Sequence, residues 1–373
     1  MNFVVLKNNL KEGLSNISGA RKDVSNLPIL KNFLIENQDG KLRLVSTDLE
    51  IAISHLVSAK VIEKGSVAIP YAIFSQIISN LSSERITIEL KEKSLLITTD
   101  NYKAKISTAP KEEFPIIPEI KKETAHAFEF DLAYFIDSLS AVSSACQVSD
   151  LRPELSGVLF KFKNNEFRVA ATDSFRLAEK KIEEKKFHTT TQEDVSCIIP
   201  LKTVQEVVRV FSSQNEKTLY VYIDEGQILF QTENTQIISR LIDGKFPDYE
   251  PIIPLSFETE VVLEKEGVVS ALKLTSSLSN RLHEVGFITD EQLKNVQVLS
   301  SSQEFGESEY LLPAKIKGGS TKVTFNWRFV LDGLRNIKTQ QIMIGFNGEE
   351  KPSLIKSPDD PSYFYIIMPI KSA

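Results

Sequence analysis

Residues 28–48 and 153–173 of this chain are two renderings of one pattern. PILKNFLIENQDGKLRLVSTD and PELSGVLFKFKNNEFRVAATD align without a gap, at an offset of 153 − 28 = 125 residues. A repeat this long constrains the fold more than any local motif, because every copy must form the same supersecondary unit. Each copy opens on Pro-x-Leu, alternates apolar and polar residues, turns, alternates again and closes on Thr-Asp. Alternation such as Phe33/Ile35 and Leu42/Leu44 has the period of half-buried strands. Asn37-Gln38-Asp39-Gly40 and Lys163-Asn164-Asn165-Glu166 carry the residues of tight hairpin turns. Each copy is therefore expected to contain an antiparallel hairpin.

The correspondence runs on. Ser66–Pro70 matches Ser196–Pro200, and an amphipathic helix is expected after each proline. Ile73, Phe74, Ile77, Ile78 and Leu81 would face inward in the first, and Val204, Val207, Val208 and Phe211 in the second. Two further alternating pairs follow, Ile86–Leu90 with Leu95–Thr98 and Leu219–Ile223 with Ile228–Gln231. Glu113-Phe114-Pro115 then matches Lys245-Phe246-Pro247. A weaker third copy begins near Pro254. It has a strand at Val261–Leu263, a helix over Gly267–Leu278, a hairpin over Val285–Ser302, a helix over Phe325–Ile337 and a last strand at Tyr363–Met368. Earlier helices are expected over Leu10–Ile17 and Leu132–Val142. The expected fold is α+β, with three repeated domains at 1–120, 127–250 and 254–373, each of two helices and two antiparallel sheets.

Composition narrows the function. The 373 residues are 42% hydrophobic, enough for a sizeable core, and no apolar run reaches the length of a membrane helix. No signal peptide is recognisable at Met1–Lys7. Cys146 and Cys197 are too few for a disulfide framework or a cysteine zinc site, so a reducing cytoplasm is expected. His55, His126, His188 and His283 are scattered, and glycine-rich nucleotide loops, zinc-protease helices and serine-hydrolase elbows are absent. No catalytic residue, metal or cofactor is expected. A net charge of −6 argues against tight binding through phosphate contacts, without excluding a local basic surface.

A row of alike domains can curve, and two such chains with complementary ends can close head to tail. At this point the chain resembles the bacterial sliding clamp family, the beta subunit of the replicative DNA polymerase III holoenzyme. The likeness covers essentially the whole length. It rests on Leu27-Pro28-Ile29-Leu30, Ser46-Thr47-Asp48-Leu49-Glu50, Ala170–Ala178, Asp243–Tyr249 and Ile366-Ile367-Met368-Pro369-Ile370.

The resemblance implies half of a closed ring, a homodimer that encircles duplex DNA without sequence preference and tethers the polymerase alpha subunit, the clamp loader and other proteins carrying clamp-binding peptide motifs. It implies a peptide-binding pocket at Leu155, Thr172, Ser174, Phe175, Arg176, Leu177, Pro247, Ile252, Ile366, Met368, Pro369 and Ile370. Phe175 stands where many relatives have histidine or tyrosine, and Pro251 where some have arginine. It implies DNA-facing cations at Lys11, Arg21, Lys22, Arg152 and Lys202, and dimer contacts at Ile106 and Leu278. A clamp paralogue serving repair or resistance fits the same residues. An enzyme on repeated α+β domains would have to use Thr47-Asp48 and Thr172-Asp173, which read more naturally as turn caps.

Overall fold

The computed structural model describes residues 1–21, 27–290 and 294–371. Lys22 lies outside the described residues. Six α-helices are described: α1 (Lys7–Ile17), α2 (Tyr71–Asn80), α3 (Leu132–Ser143), α4 (Leu201–Phe211), α5 (Lys265–Thr275) and α6 (Trp327–Arg335). Each buries one face. Phe74 and Ile78 of α2 are buried, but Ile73 points to solvent and Ile77 is half-buried. The stripe is narrower than its apolar spacing suggests, because only the i, i+4 row meets the sheet. In α4 the buried row is Val204, Val207, Val210 and Phe211, with Val208 at the margin. Phe325 belongs to the strand Thr321–Asn326, and α6 starts after Asn326, whose side chain accepts from the backbone N–H of Arg328 at 3.0 Å. That cap decides the boundary.

The repeated hairpins form as expected. Asn32–Gln38 pairs with Lys41–Thr47 and Gly157–Lys163 with Glu166–Thr172, both antiparallel. Each is closed by two residues at positive φ, Asp39 and Gly40 in one and Asn164 and Asn165 in the other. This is the twist-matched two-residue turn that Asp-Gly and Asn-Asn favour.

The sheets depart from two per repeat. The first repeat has a five-stranded sheet of its own, ordered Ala59–Glu63, Asn2–Leu6, Arg85–Lys91, Ser94–Thr98, Lys103–Ser107. Its hairpin strands instead enter a nine-stranded sheet, where Ile51–Val57 pairs with Thr235–Arg240 of the second repeat. A second nine-stranded sheet joins Arg176–Ile182 to Tyr363–Ile367 of the third repeat. The third repeat keeps a four-stranded sheet ordered Gly306–Pro313, Asn295–Ser302, Glu284–Asp290, Thr321–Asn326. Pairing across repeats removes strand edges that would otherwise be open. Compactness follows the sheets. One compact unit contains 1–132, 188–191 and 206–241, and the other contains 133–187, 192–205 and 242–373.

The largest fully buried side chains are aromatic. In the first unit Phe33 meets Tyr71 edge-on at 6.0 Å, and in the second Phe160 meets Phe135 and Phe167 edge-on at 5.7 and 5.6 Å. Phe287, Phe325 and Phe346 form the corresponding cluster of the third repeat.

Candidate functional site

The Thr-Asp pair that ends each hairpin builds a turn. Thr172 Oγ1 donates to the carbonyl of Arg176 at 2.7 Å and accepts from the N–H of Ser174 at 3.2 Å. Asp173 Oδ1 accepts from the N–H groups of Phe175 and Arg176, each at 3.0 Å. Thr47 and Asp48 repeat these bonds with Leu49, Glu50 and Ile51. Ser174 at φ 77° and Leu49 at φ 79° occupy the left-handed region, a strain the paired side-chain bonds hold in place. Both carboxylates are thus turn caps, and the enzymatic reading loses its repeated candidates.

This turn pushes Ser174 and Phe175 outward, with Phe175 63% exposed. The C-terminal segment docks beside it. Leu177 pairs with Ile366 and Arg176 with Ile367 in the sheet, and the N–H of Met368 donates to the carbonyl of Phe175 at 2.8 Å. The N–H of Ile370 donates to Thr324 O at 2.8 Å. Met368, Pro369 and Ile370 are consequently half-buried rather than free.

The expected pocket residues divide into two layers. Leu177 and Ile366 are buried in a cluster with Leu159, Phe246, Tyr249, Met343 and Leu354. Leu155 and Thr172 are also buried. These four support the surface and do not form it. Ser174, Phe175 and Ile252 are exposed, and Pro247, Met368, Pro369 and Ile370 are half-buried. Arg176 is held on three sides. Its Nε donates to Asp173 Oδ2 at 2.8 Å, its Nη1 donates to Asp332 Oδ2 at 2.7 Å, and its guanidinium lies 4.1 Å from the Phe329 ring centre. Burial disfavours its charge, but Tyr365, Asp173 and Asp332 outweigh that and raise its pKa.

Several residues have partners that the chain's linear order conceals. Arg152 Nη1 donates to Ser174 Oγ at 3.2 Å and its Nε to Glu154 at 3.4 Å, so this cation braces the turn. The buried Tyr249 hydroxyl donates to Glu179, whose carboxyl is pushed up by burial. Arg209 donates to the carbonyls of Ser15 and Asn16, both at 2.9 Å, and ties α4 to α1. Arg21 stacks 3.8 Å from the Tyr71 ring centre, whereas Lys11 on α1 and Lys202 on α4 are exposed. Ile106 is only 6% exposed, facing Leu95 inside its own sheet, and Leu278 is half-buried. Cys146 and Cys197 are both pushed up to about 12 by burial, which keeps the thiols protonated. Among the described residues no group of three His, Cys, Asp or Glu is placed to hold a metal ion.

Two open sheet edges of opposite charge were not read from the sequence. The edge strand Lys103–Ser107 presents Lys103 and Lys105 to solvent, and the edge strand Gly306–Pro313 presents Glu307 and Glu309. The signal lay in the short alternations Lys-Ala-Lys and Glu-Ser-Glu.

Known proteins agree with this architecture across the whole chain. Residues 1–118, 130–248 and 250–371 match the family descriptions of the N-terminal, central and C-terminal domains of the DNA polymerase III beta subunit. The beta sliding clamp of Chlamydia muridarum is 27% identical over 377 residues, covering 100% of this chain and 99% of the relative. That of Bacillus subtilis is 25% identical over 383 residues, covering 100% of both. The crystal structure of the Thermotoga maritima DNA polymerase III beta subunit superposes with a TM-score of 0.91 at 28% identity, covering 100% of both chains. The sliding clamp structure from Bacillus subtilis gives 0.94 at 25% identity, with the same coverage. With three consecutive domain matches and these full-length likenesses, the chain belongs to the DNA polymerase III beta subunit family, the DNA polymerase sliding clamps.

Proposed function

We propose that two copies of this chain close head to tail into a ring around duplex DNA, with repeat domains at 1–120, 127–250 and 254–373. The carrying observation is the pair of open sheet edges with opposite charge. Lys103 and Lys105 on one can face Glu307 and Glu309 of a second copy while the strand backbones pair. Ile106 would act by stiffening its strand from within, and Leu278 by packing beside the joint. A topological tether needs no strong phosphate grip, which suits a chain of net charge −6. Lys11, Lys202, Arg21 and Arg152 would supply a loose basic lining, Lys11 and Lys202 most directly.

The ring would carry its partners on the surface around Ser174, Phe175, Pro247, Ile252, Met368, Pro369 and Ile370. Exposed aromatic and apolar groups over a firmly packed base suit a short extended peptide. The partners would be the replicative polymerase alpha subunit, the clamp loader and other proteins with clamp-binding motifs. Tethering acts by effective concentration, so the protein itself is non-catalytic. No helix among the described residues is long and apolar enough to cross a membrane, and we place the protein in the cytoplasm with replication.

Light scattering at micromolar concentration tests the ring. A mass of twice 42.0 kDa, with retention on circular but not linear DNA, is the expected result. A persistent monomer, or equal loss from both templates, would overturn it.

A further inference from the structure

The internal repeat supplies its own control for a cavity in the first compact unit. A chamber of about 630 Å³ lies between the outer face of the nine-stranded sheet and the segment 111–122. The matching space in the second unit is narrowed by Leu177, Phe364, Tyr249 and Glu179, with Tyr249 bonded to Glu179, and keeps a smaller cavity of about 450 Å³ beside Lys161, Arg168 and Glu250. At the matching positions the first unit has Ala52, Gln236, Ile117 and Ser54. Four smaller or more polar side chains leave the chamber open, and its volume is in the range of ligand sites.

The roof is an extended strap. Phe114 and Ile120 are buried and pin its two ends, while Ile116 between them is 95% exposed. Pro115 and Pro118 have no N–H to give. The N–H groups of Ile116, Ile117, Glu119 and Ile120 make no backbone hydrogen bond among the described residues. An extended backbone with unused donors and acceptors beside an apolar chamber is suited to main-chain recognition of another chain.

The chamber is lined by four carboxylates and three cations, and the three cations are each held by a partner. Lys111 donates to Glu36 Oε2 at 2.6 Å and Arg43 to Glu36 Oε1 at 3.0 Å. Lys122 donates to Gln231 at 2.6 Å and lies 5.0 Å from the Tyr222 ring centre. Glu112, Glu119 and Glu233 line the same chamber and enter no ion pair or side-chain hydrogen bond among the described residues.

We propose that this chamber is a second peptide-docking site, which takes an extended segment of a partner protein bearing an apolar side chain flanked by lysine or arginine. The apolar side chain fills the space that Leu177 and Phe364 occupy in the second unit. The flanking cations meet Glu112, Glu119 and Glu233. The site lies wholly in the first unit and shares no residue with the Phe175–Met368 surface.

The test uses the full chain carrying Met368→Ala and Ile370→Ala, so that the other surface does not report. A short fluorescent peptide alternating lysine and isoleucine is titrated by anisotropy, beside its glutamate–isoleucine counterpart. The lysine peptide is expected to bind and the glutamate peptide to bind at least about tenfold more weakly. Ala52→Leu with Gln236→Phe, which copies the second unit, is expected to weaken the lysine peptide at least about tenfold. Should that pair unfold, Glu119→Lys with Glu233→Lys alters only exposed groups and is expected to reverse the preference between the two peptides. Equal affinity for both peptides, or affinity unchanged by either variant in its folded form, would overturn the proposal.

Discussion

Arg176 Nη1 donates to Asp332 Oδ2 at 2.7 Å, which joins the strand behind the Ser174–Phe175 turn to α6. The same guanidinium bonds to Asp173, the cap of that turn. One side chain therefore secures both the turn and the helix beneath the C-terminal segment. Arg176 is largely buried and Asp173 almost fully so, which makes removal of the cation expensive. Arg176→Met is expected to cost about 3 kcal/mol, read from urea unfolding. A cost below about 1 kcal/mol would mean the network contributes no more than a surface pair.

Met368→Ala combined with Ile370→Ala is expected to abolish stimulation of the polymerase on a long primed template. Both side chains are half-buried beside exposed Phe175, so the backbone bonds of Met368 and Ile370 should survive truncation. Affinity for a partner peptide should fall by about tenfold or more. Light scattering checks that the mass is unaltered, and full stimulation by this variant would remove the assignment of the surface.

Closure through the charged edges makes a sign-specific prediction. Lys103→Glu with Lys105→Glu is expected to convert a dimer into a monomer at micromolar concentration. Glu307→Lys with Glu309→Lys should do the same alone, and an equimolar mixture of the two variants should recover both joints of a heterodimer, one with its charges exchanged and one as in the wild type. If the mixture remains monomeric while each variant is folded, the strands do not meet in this way. Dissociation of the wild type should sharpen with salt, since these groups are exposed.

His55 predicts an acid sensitivity of the first unit. Its Nδ1 lies 2.8 Å from Thr235 Oγ1 and 3.3 Å from Asn16 Nδ2, and the Asn16 amide donates to it. Burial, with Lys41 nearby, lowers its pKa from 6.5 to about 4. The folded state thus binds fewer protons than the unfolded state between these values. Stability is full above pH 6.5 and declines as pH falls toward 4, by up to about 3 kcal/mol. Urea melts at stepped pH read the slope, and His55→Gln should flatten it. An unchanged slope in that variant would assign the acid sensitivity to carboxylates.

Much of this was legible in the sequence because it is local. Strand alternation depends on residues i and i+2, helical faces on i and i+4, and tight turns on two residues that tolerate positive φ. The offset of 125 residues therefore located both hairpins, and the repeated Thr-Asp pairs were already readable as caps. Phe175 and Met368, named together from motifs at two distant places in the chain, are neighbours through the Met368 N–H bond to the Phe175 carbonyl.

Tertiary structure decided which strand edges were consumed. Ile51–Val57 pairs with Lys41–Thr47 of its own repeat along one edge, yet its other edge takes Thr235–Arg240, and compactness then follows the shared sheets. It also decided the direction of individual side chains, turning Ile106 inward and Ile73 outward and giving Arg152 to Ser174. Most of all it decided that the space between strap and sheet is wide in one repeat and narrowed in its copy. Ala52, Ser54 and Gln236 are unremarkable as letters, and only the sheet that places them on one face opposite the strap makes them a cavity. Periodicity specifies elements through neighbours along the chain, whereas packing is a sum over neighbours in space.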